Sequence, residues 1–87
     1  MDSPFTRMQV YIKTEIIRDP TIVVDADTPL ISSGLIDSFA LVDILVELEE
    51  VTQRKLPVSQ ISAQDLDTVR EMLATAERLG RPFPAVR

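Results

Sequence analysis

Asp37-Ser38 lies where an irregular stretch ends and an apolar, acidic run begins, a run that closes on Glu47-Leu48-Glu49-Glu50. Aspartate is a good helix N-cap because its carboxylate accepts the unpaired N–H groups of the first turn, so Ser38 takes the first helical position. A helix start also carries partial positive charge, which stabilises a phosphate ester formed there. Ser38 is therefore a candidate for a phosphate-linked attachment. It has no means of activating itself: the 87-residue chain contains no Cys and no His, and its only lysines are Lys13 and Lys55. A serine nucleophile needs an adjacent base, so catalysis by this chain is not expected. The same absences remove disulfides, thiolates and the usual zinc ligands, and no metal site is expected.

The elements that position Ser38 follow from local patterning. Ser3-Pro4 reads as a cap and first helical residue, after which Phe5, Met8, Ile12 and Ile16 recur at helical spacing. That predicts a first helix to about Arg18, stopped by Asp19-Pro20. From Thr21 to Ile36 no period is sustained, and Ile22, Val23, Leu30, Leu35 and Ile36 are scattered among Pro29 and Gly34. This is a long loop pinned to a core, and loops beyond about 12 to 15 residues in compact domains are usually functional.

A second helix is predicted from Ser38 through Glu50 to about Gln53, and Lys55-Leu56-Pro57 closes it. Ser62 with Asp65 predicts a short helical turn over Ser62–Leu66. Thr68 with Glu71 predicts a last helix beginning near Asp67 or Thr68, with Val69, Met72, Leu73, Ala76 and Leu79 on one face and Gly80 as its stop. The remainder, residues 81–87, has two prolines and no period and is expected to fray, leaving one domain over residues 1–80.

The second helix carries more apolar residues than one face requires. On a wheel with Ser38 at zero, Leu41, Ile44, Leu45, Leu48 and Val51 fall between about 220° and 340° and form the core stripe. Phe39, Val42 and Val46 fall instead at about 40° to 100°, beside Ser38, with Asp43, Glu49 and Glu50 inside a wider sector of about 0° to 140°. Apolar groups ringed by carboxylates make a docking surface, in which charge steers a basic partner and the apolar contacts hold it. The competing reading is that another helix covers both stripes and the acids are a solvated rim.

Charge distribution agrees with a basic partner. Net charge is −5, and Asp19 through Gln53 contains no Lys or Arg while Asp19, Asp25, Asp27, Asp37, Asp43, Glu47, Glu49 and Glu50 all fall there. Nucleic acid is not an expected partner, since it requires clustered cations. No apolar run approaches the roughly 18 residues of a membrane span and no signal pattern opens the chain, so a cytoplasmic location without membrane insertion is expected.

These residues resemble the acyl carrier protein superfamily, which includes peptidyl and D-alanyl carrier proteins. The resemblance covers about Phe5 to Leu79. It rests on Leu30-Ile31-Ser32-Ser33-Gly34-Leu35-Ile36 leading into Asp37-Ser38, then on Val42, Asp43, Leu48, Glu49 and Glu50, then on Leu56-Pro57 and Thr68-Val69.

The resemblance implies an all-α four-helix bundle with a long first loop and a short third helix. It implies that Ser38 receives 4′-phosphopantetheine from coenzyme A through a phosphopantetheinyl transferase, and that Asp37 serves in transferase recognition. Phe39, Val42, Asp43, Val46, Glu49 and Glu50 then match the helix read by partner enzymes, namely a loading ligase for acyl or aminoacyl groups and downstream acyl-processing enzymes. Such a carrier is non-catalytic, holds its cargo as a thioester and is expected to be a monomer.

Phe39 stands where fatty-acid carriers commonly have leucine, Val51-Thr52 where they often have an acid and an aromatic residue, and the span from Pro57 to Val69 is longer. These departures imply a specialised carrier, in secondary metabolism or cell-envelope modification, with the cargo left open. Beginning at Met1 and ending soon after the bundle, the chain is expected to be free-standing. The alternative is an unmodified acidic interaction domain in which Ser38 is structural.

Overall fold

The Ser3 hydroxyl accepts the N–H of Thr6 at 3.2 Å and Pro4 occupies the first turn, and from this cap helix α1 runs over Pro4–Tyr11. A computed structural model describes residues 3–83. The helical path continues to Ile17 as predicted, but Ile12–Ile17 is wound as a wider π-turn. The wider winding lets the adjacent Ile16 and Ile17 both pack against the core below the buried Met8 and Ile12. Arg18, at φ 62°, closes the turn in the left-handed region, and the Asp19 N–H reaches back to the Lys13 carbonyl at 3.0 Å.

The loop that follows is held by buried plugs, as expected, though Val24 supplies one of them and Val23 is 71% exposed. Val24, Leu30 and Ile36 join the core. At the far end a 3₁₀ turn over Ser38–Ala40 leads directly into helix α2, Leu41–Thr52, which ends on Gln53 at φ 55°. Ile44, Leu45, Leu48 and Val51 are buried and Leu41 is partly buried against them. This is the core stripe read from the sequence, and burying each such side chain contributes about 1.5–3 kcal/mol.

Past α2 the chain departs from expectation. Arg54–Lys55 forms strand β1 and Arg81–Pro82 forms strand β2, an antiparallel ladder with Arg54 opposite Pro82 and Lys55 opposite Arg81. Residues 81 and 82 are therefore paired where fraying was expected. The rest of that expectation, residues 84–87, lies outside the described residues.

Between α2 and the last helix are two 3₁₀ turns, Val58–Gln60 and Ala63–Leu66. The second is the turn predicted from Ser62 and Asp65: the Ser62 N–H donates to Asp65 Oδ2 at 2.9 Å, and Leu66 plugs the core. Helix α3, Val69–Leu79, starts where Thr68 Oγ1 accepts the Glu71 N–H at 3.0 Å. Val69, Met72 and Ala76 are buried, and the buried Thr75 hydroxyl donates to the Asp65 carbonyl at 3.2 Å.

Gly80 ends α3, but in extended backbone at φ −69° and not in the left-handed region. Glycine is required there by space, since a Cβ would meet the Ala76 carbonyl oxygen and the Arg54 side chain. The described residues thus form a mostly helical unit of three α-helices and one small ladder, with 3₁₀ turns where a short third helix was expected.

Candidate functional site

The approach to Ser38 is tied down from across the molecule. Asp67, immediately before the α3 cap, accepts the backbone N–H groups of Ile31 at 2.7 Å, Ser32 at 2.9 Å and Leu30 at 3.2 Å on Oδ1, while Oδ2 takes the Ser32 hydroxyl at 2.7 Å. The Leu30 N–H also donates to the Asp67 carbonyl at 2.8 Å. Hydrogen bonds from the Ser32 amide and hydroxyl, then from the Ile31 and Leu30 amides, hold the Asp67 carboxyl below the usual carboxylate range against a smaller effect of burial.

A second tie lies upstream. The Arg70 N–H donates to the Ala26 carbonyl at 2.9 Å, and its guanidinium forms a two-pronged pair with Asp27 at 2.7 and 3.0 Å. The Arg70 hydrogen bond lowers the Asp27 carboxyl pKa. Both groups are solvent-exposed, so this pair orients the loop more than it stabilises the fold.

From the Asp67 clamp the backbone closes on itself. The Ile36 N–H donates to the Leu30 carbonyl at 2.9 Å and the Gly34 N–H to the Ile31 carbonyl at 3.0 Å. Gly34 sits at φ 81°, where only glycine is unstrained. Ile36 is buried, which fixes the residue before Asp37, and Asp37 Oδ1 then caps the next turn by accepting the Phe39 N–H at 3.0 Å.

Ser38 follows directly, exposed, and its hydroxyl has no hydrogen-bond partner among the described residues. It opens a helical turn that runs into the 12 residues of α2, so unpaired N–H groups and the positive end of the helix lie next to it. An exposed, unengaged hydroxyl beside that positive end is chemically suited to hold a phosphodiester.

Around it, Phe39, Val42 and Val46 are 88%, 67% and 59% exposed. The second stripe is therefore uncovered by any described element, in contrast to the reading in which another helix buries it. Asp43 and Glu50 are also exposed, but Glu49 differs. Its side chain is only 18% exposed, and Oε2 accepts the Leu56 N–H at 2.8 Å with Lys55 Nζ 3.7 Å away. Glu49 is thus engaged by the chain leaving α2.

Sequence reasoning missed Asp67 as a residue that shapes the site. Its position just before a capping residue was visible, but its partners lie 35 to 37 positions away and no local spacing rule connects them.

The chain matches the family model of the phosphopantetheine attachment site over residues 12–76. It is similar to the D-alanyl carrier protein of Streptococcus uberis, with 32% identity over 53 residues that cover 61% of this chain and 67% of that protein. The D-alanyl carrier proteins of Streptococcus pyogenes serotype M5 and of Streptococcus equi subsp. zooepidemicus are 34% and 30% identical over the same 61% and 67% shares. No solved structure matches significantly. No helix among the described residues is long and apolar enough to cross a membrane. The attachment domain and these relatives indicate 4′-phosphopantetheine as the covalently held group. With three-quarters of its length inside that domain, from Ile12 to Ala76, the chain belongs to the phosphopantetheine-attachment family of the acyl carrier protein superfamily.

Proposed function

We propose that this chain is a non-catalytic carrier whose Ser38 hydroxyl is the attachment point of 4′-phosphopantetheine. The observation that carries this reading is the junction itself: an exposed hydroxyl with no protein partner among the described residues, one position past the Asp37 cap and beside the uncovered Phe39, Val42 and Val46. When bound, the group supplies a thiol at the end of a flexible arm, on which acyl or aminoacyl groups are held as thioesters. The nucleophile that the sequence lacks is thereby imported.

This chain's own residues do the positioning and the recognition. Asp37 fixes the first turn, so that Ser38 projects from a defined backbone, and it lies where a transferase must contact the chain. Phe39, Val42 and Val46 form the apolar centre of the docking face, with Asp43 and Glu50 as its acidic rim. The engaged carboxylate of Glu49 supports a smaller share for it in docking than the sequence implied.

Partners are then a phosphopantetheinyl transferase, a ligase that loads the cargo and an enzyme that unloads it. The likeness to D-alanyl carrier proteins supports a small aminoacyl cargo destined for a specialised pathway, such as modification of the cell envelope. Residues 1–80 would act as one cytoplasmic, monomeric carrier domain, with the Ala63–Leu66 turn standing in for the short third helix of a four-helix bundle.

Mass spectrometry of the protein recovered from its own cell, with thioesters kept intact, reads attachment and cargo together. A phosphopantetheine arm bearing an amino acid is expected. Only unmodified protein, recovered under conditions in which the transferase is active, favours the unmodified interaction domain instead.

A further inference from the structure

We infer that Asp67 is a positioning residue for the modification of Ser38: its carboxylate holds the Leu30–Ser32 turn in the shape from which the serine is presented. This rests on Ser38 being the attachment serine. Among the described residues Asp67 makes no hydrogen bond to Ser38 or Asp37; it acts through the chain between them. Four donors from Leu30, Ile31 and Ser32 converge on its two carboxylate oxygens. Leu30, held from its N–H side, presents its carbonyl to the Ile36 N–H at 2.9 Å, and Ile36 is bonded to Asp37 in the chain. Asp37 then caps the turn that bears Ser38. Every step of this relay is a hydrogen bond or a peptide bond.

Without the carboxylate, the Ile31 and Ser32 N–H groups and the Ser32 hydroxyl lose their acceptor at once, and the Leu30 N–H loses one of two. Leu30 keeps its bond to the Asp67 carbonyl, so the turn loosens most at Ile31 and Ser32. The loop then samples several shapes, and a transferase finds the presented serine in only a fraction of molecules. A reduced competent fraction raises the apparent dissociation constant and leaves the bound complex unaltered, so the signature is in KM.

The experiment combines amide hydrogen exchange with transferase kinetics on the full chain, using coenzyme A and following intact mass. In Asp67→Ala, exchange at Ile31 and Ser32 accelerates, while a fall of the competent fraction to about one tenth raises KM for the carrier about tenfold and changes kcat little. Asp67→Asn keeps an oxygen for the three backbone N–H groups and restores KM most of the way. Ser32→Ala, which removes only the hydroxyl bond, keeps the test open if Asp67→Ala does not fold, and its KM rises less.

Met72→Ala, a buried α3 variant whose apolar side chain accepts none of the clamp's donors, is the control for lost stability and should leave KM unchanged while folded. An unchanged KM in Asp67→Ala and Ser32→Ala, or an equal rise in Met72→Ala, overturns the positioning role. Failure of the wild-type protein to gain mass overturns the attachment reading instead, and the exchange data remain as an independent measure of the clamp.

Discussion

Glu49 Oε2 accepts the backbone N–H of Leu56 at 2.8 Å, across the end of α2. A carboxylate placed on the docking face by its angle on the helical wheel is thereby committed to the turn that leads from Gln53 into strand β1. Leu56 is 2% exposed, so its N–H has little access to water once that acceptor is removed. Charge reversal at two neighbouring acids should therefore have different consequences.

Glu49→Lys should lower stability by about 1–3 kcal/mol, the cost of leaving a buried donor unsatisfied. Asp43→Lys, at an exposed position, should change stability by less than about 0.5 kcal/mol yet slow association with a basic partner enzyme and flatten its salt dependence. Denaturant midpoints and association rates at two ionic strengths separate the two. Equal midpoints for both variants would contradict the structural role of Glu49.

The two apolar stripes of α2 should separate in the same way. Leu48 is fully buried, and Leu48→Ala should cost about 2–5 kcal/mol through the cavity it leaves. Phe39 is 88% exposed, and Phe39→Ala should cost less than about 0.5 kcal/mol while weakening capture by the transferase or ligase. Chemical denaturation and partner binding, measured on both variants, check this. A large stability loss in Phe39→Ala would mean that the second stripe is part of the core.

Gly80→Ala tests whether glycine is needed for space or for conformation. Its φ of −69° is open to any residue, so strain in the backbone predicts no effect. Crowding against the Ala76 carbonyl oxygen and the Arg54 side chain predicts a loss of about 1–3 kcal/mol and a displaced ladder. Thermal unfolding of the variant decides between these outcomes.

Acid stability follows from Asp67. Its folded-state pKa is lowered by the Ser32 amide and hydroxyl and by the Ile31 and Leu30 amides, so below its unfolded value of about 3.9 the unfolded chain binds protons more readily than the folded one. The contribution is fully present above that unfolded value and is lost as pH falls through the lowered folded one. Thermal midpoints of the wild type should decline through this range, and those of Asp67→Asn should decline less. Parallel curves would show that Asp67 gains nothing on folding.

Local chemistry was legible in the sequence, and long-range chemistry was not. The caps at Ser3, Asp37 and Thr68 bond two or three residues along the chain, within reach of spacing rules. The division of α2 into a buried and an exposed stripe follows from 3.6-residue periodicity alone. Asp67 and Glu49 were readable as acids but not as acceptors, because their partners are chosen by tertiary packing. A ladder as short as Arg54–Lys55 with Arg81–Pro82 carries no alternation to detect, and the widening of Ile12–Ile17 leaves the helical pattern of its apolar residues intact. Val23 and Val24 are neighbours in a loop without period, so the sequence offered no means of choosing which one is buried.

The central claim is that Ser38 is where the arm attaches. Incubation of the wild-type protein and of Ser38→Ala with coenzyme A, magnesium and a broad-specificity phosphopantetheinyl transferase, followed by intact mass measurement, tests it most directly. The wild type should gain the mass of one phosphopantetheine and Ser38→Ala none. No gain in the wild type, or an undiminished gain in Ser38→Ala, would contradict it.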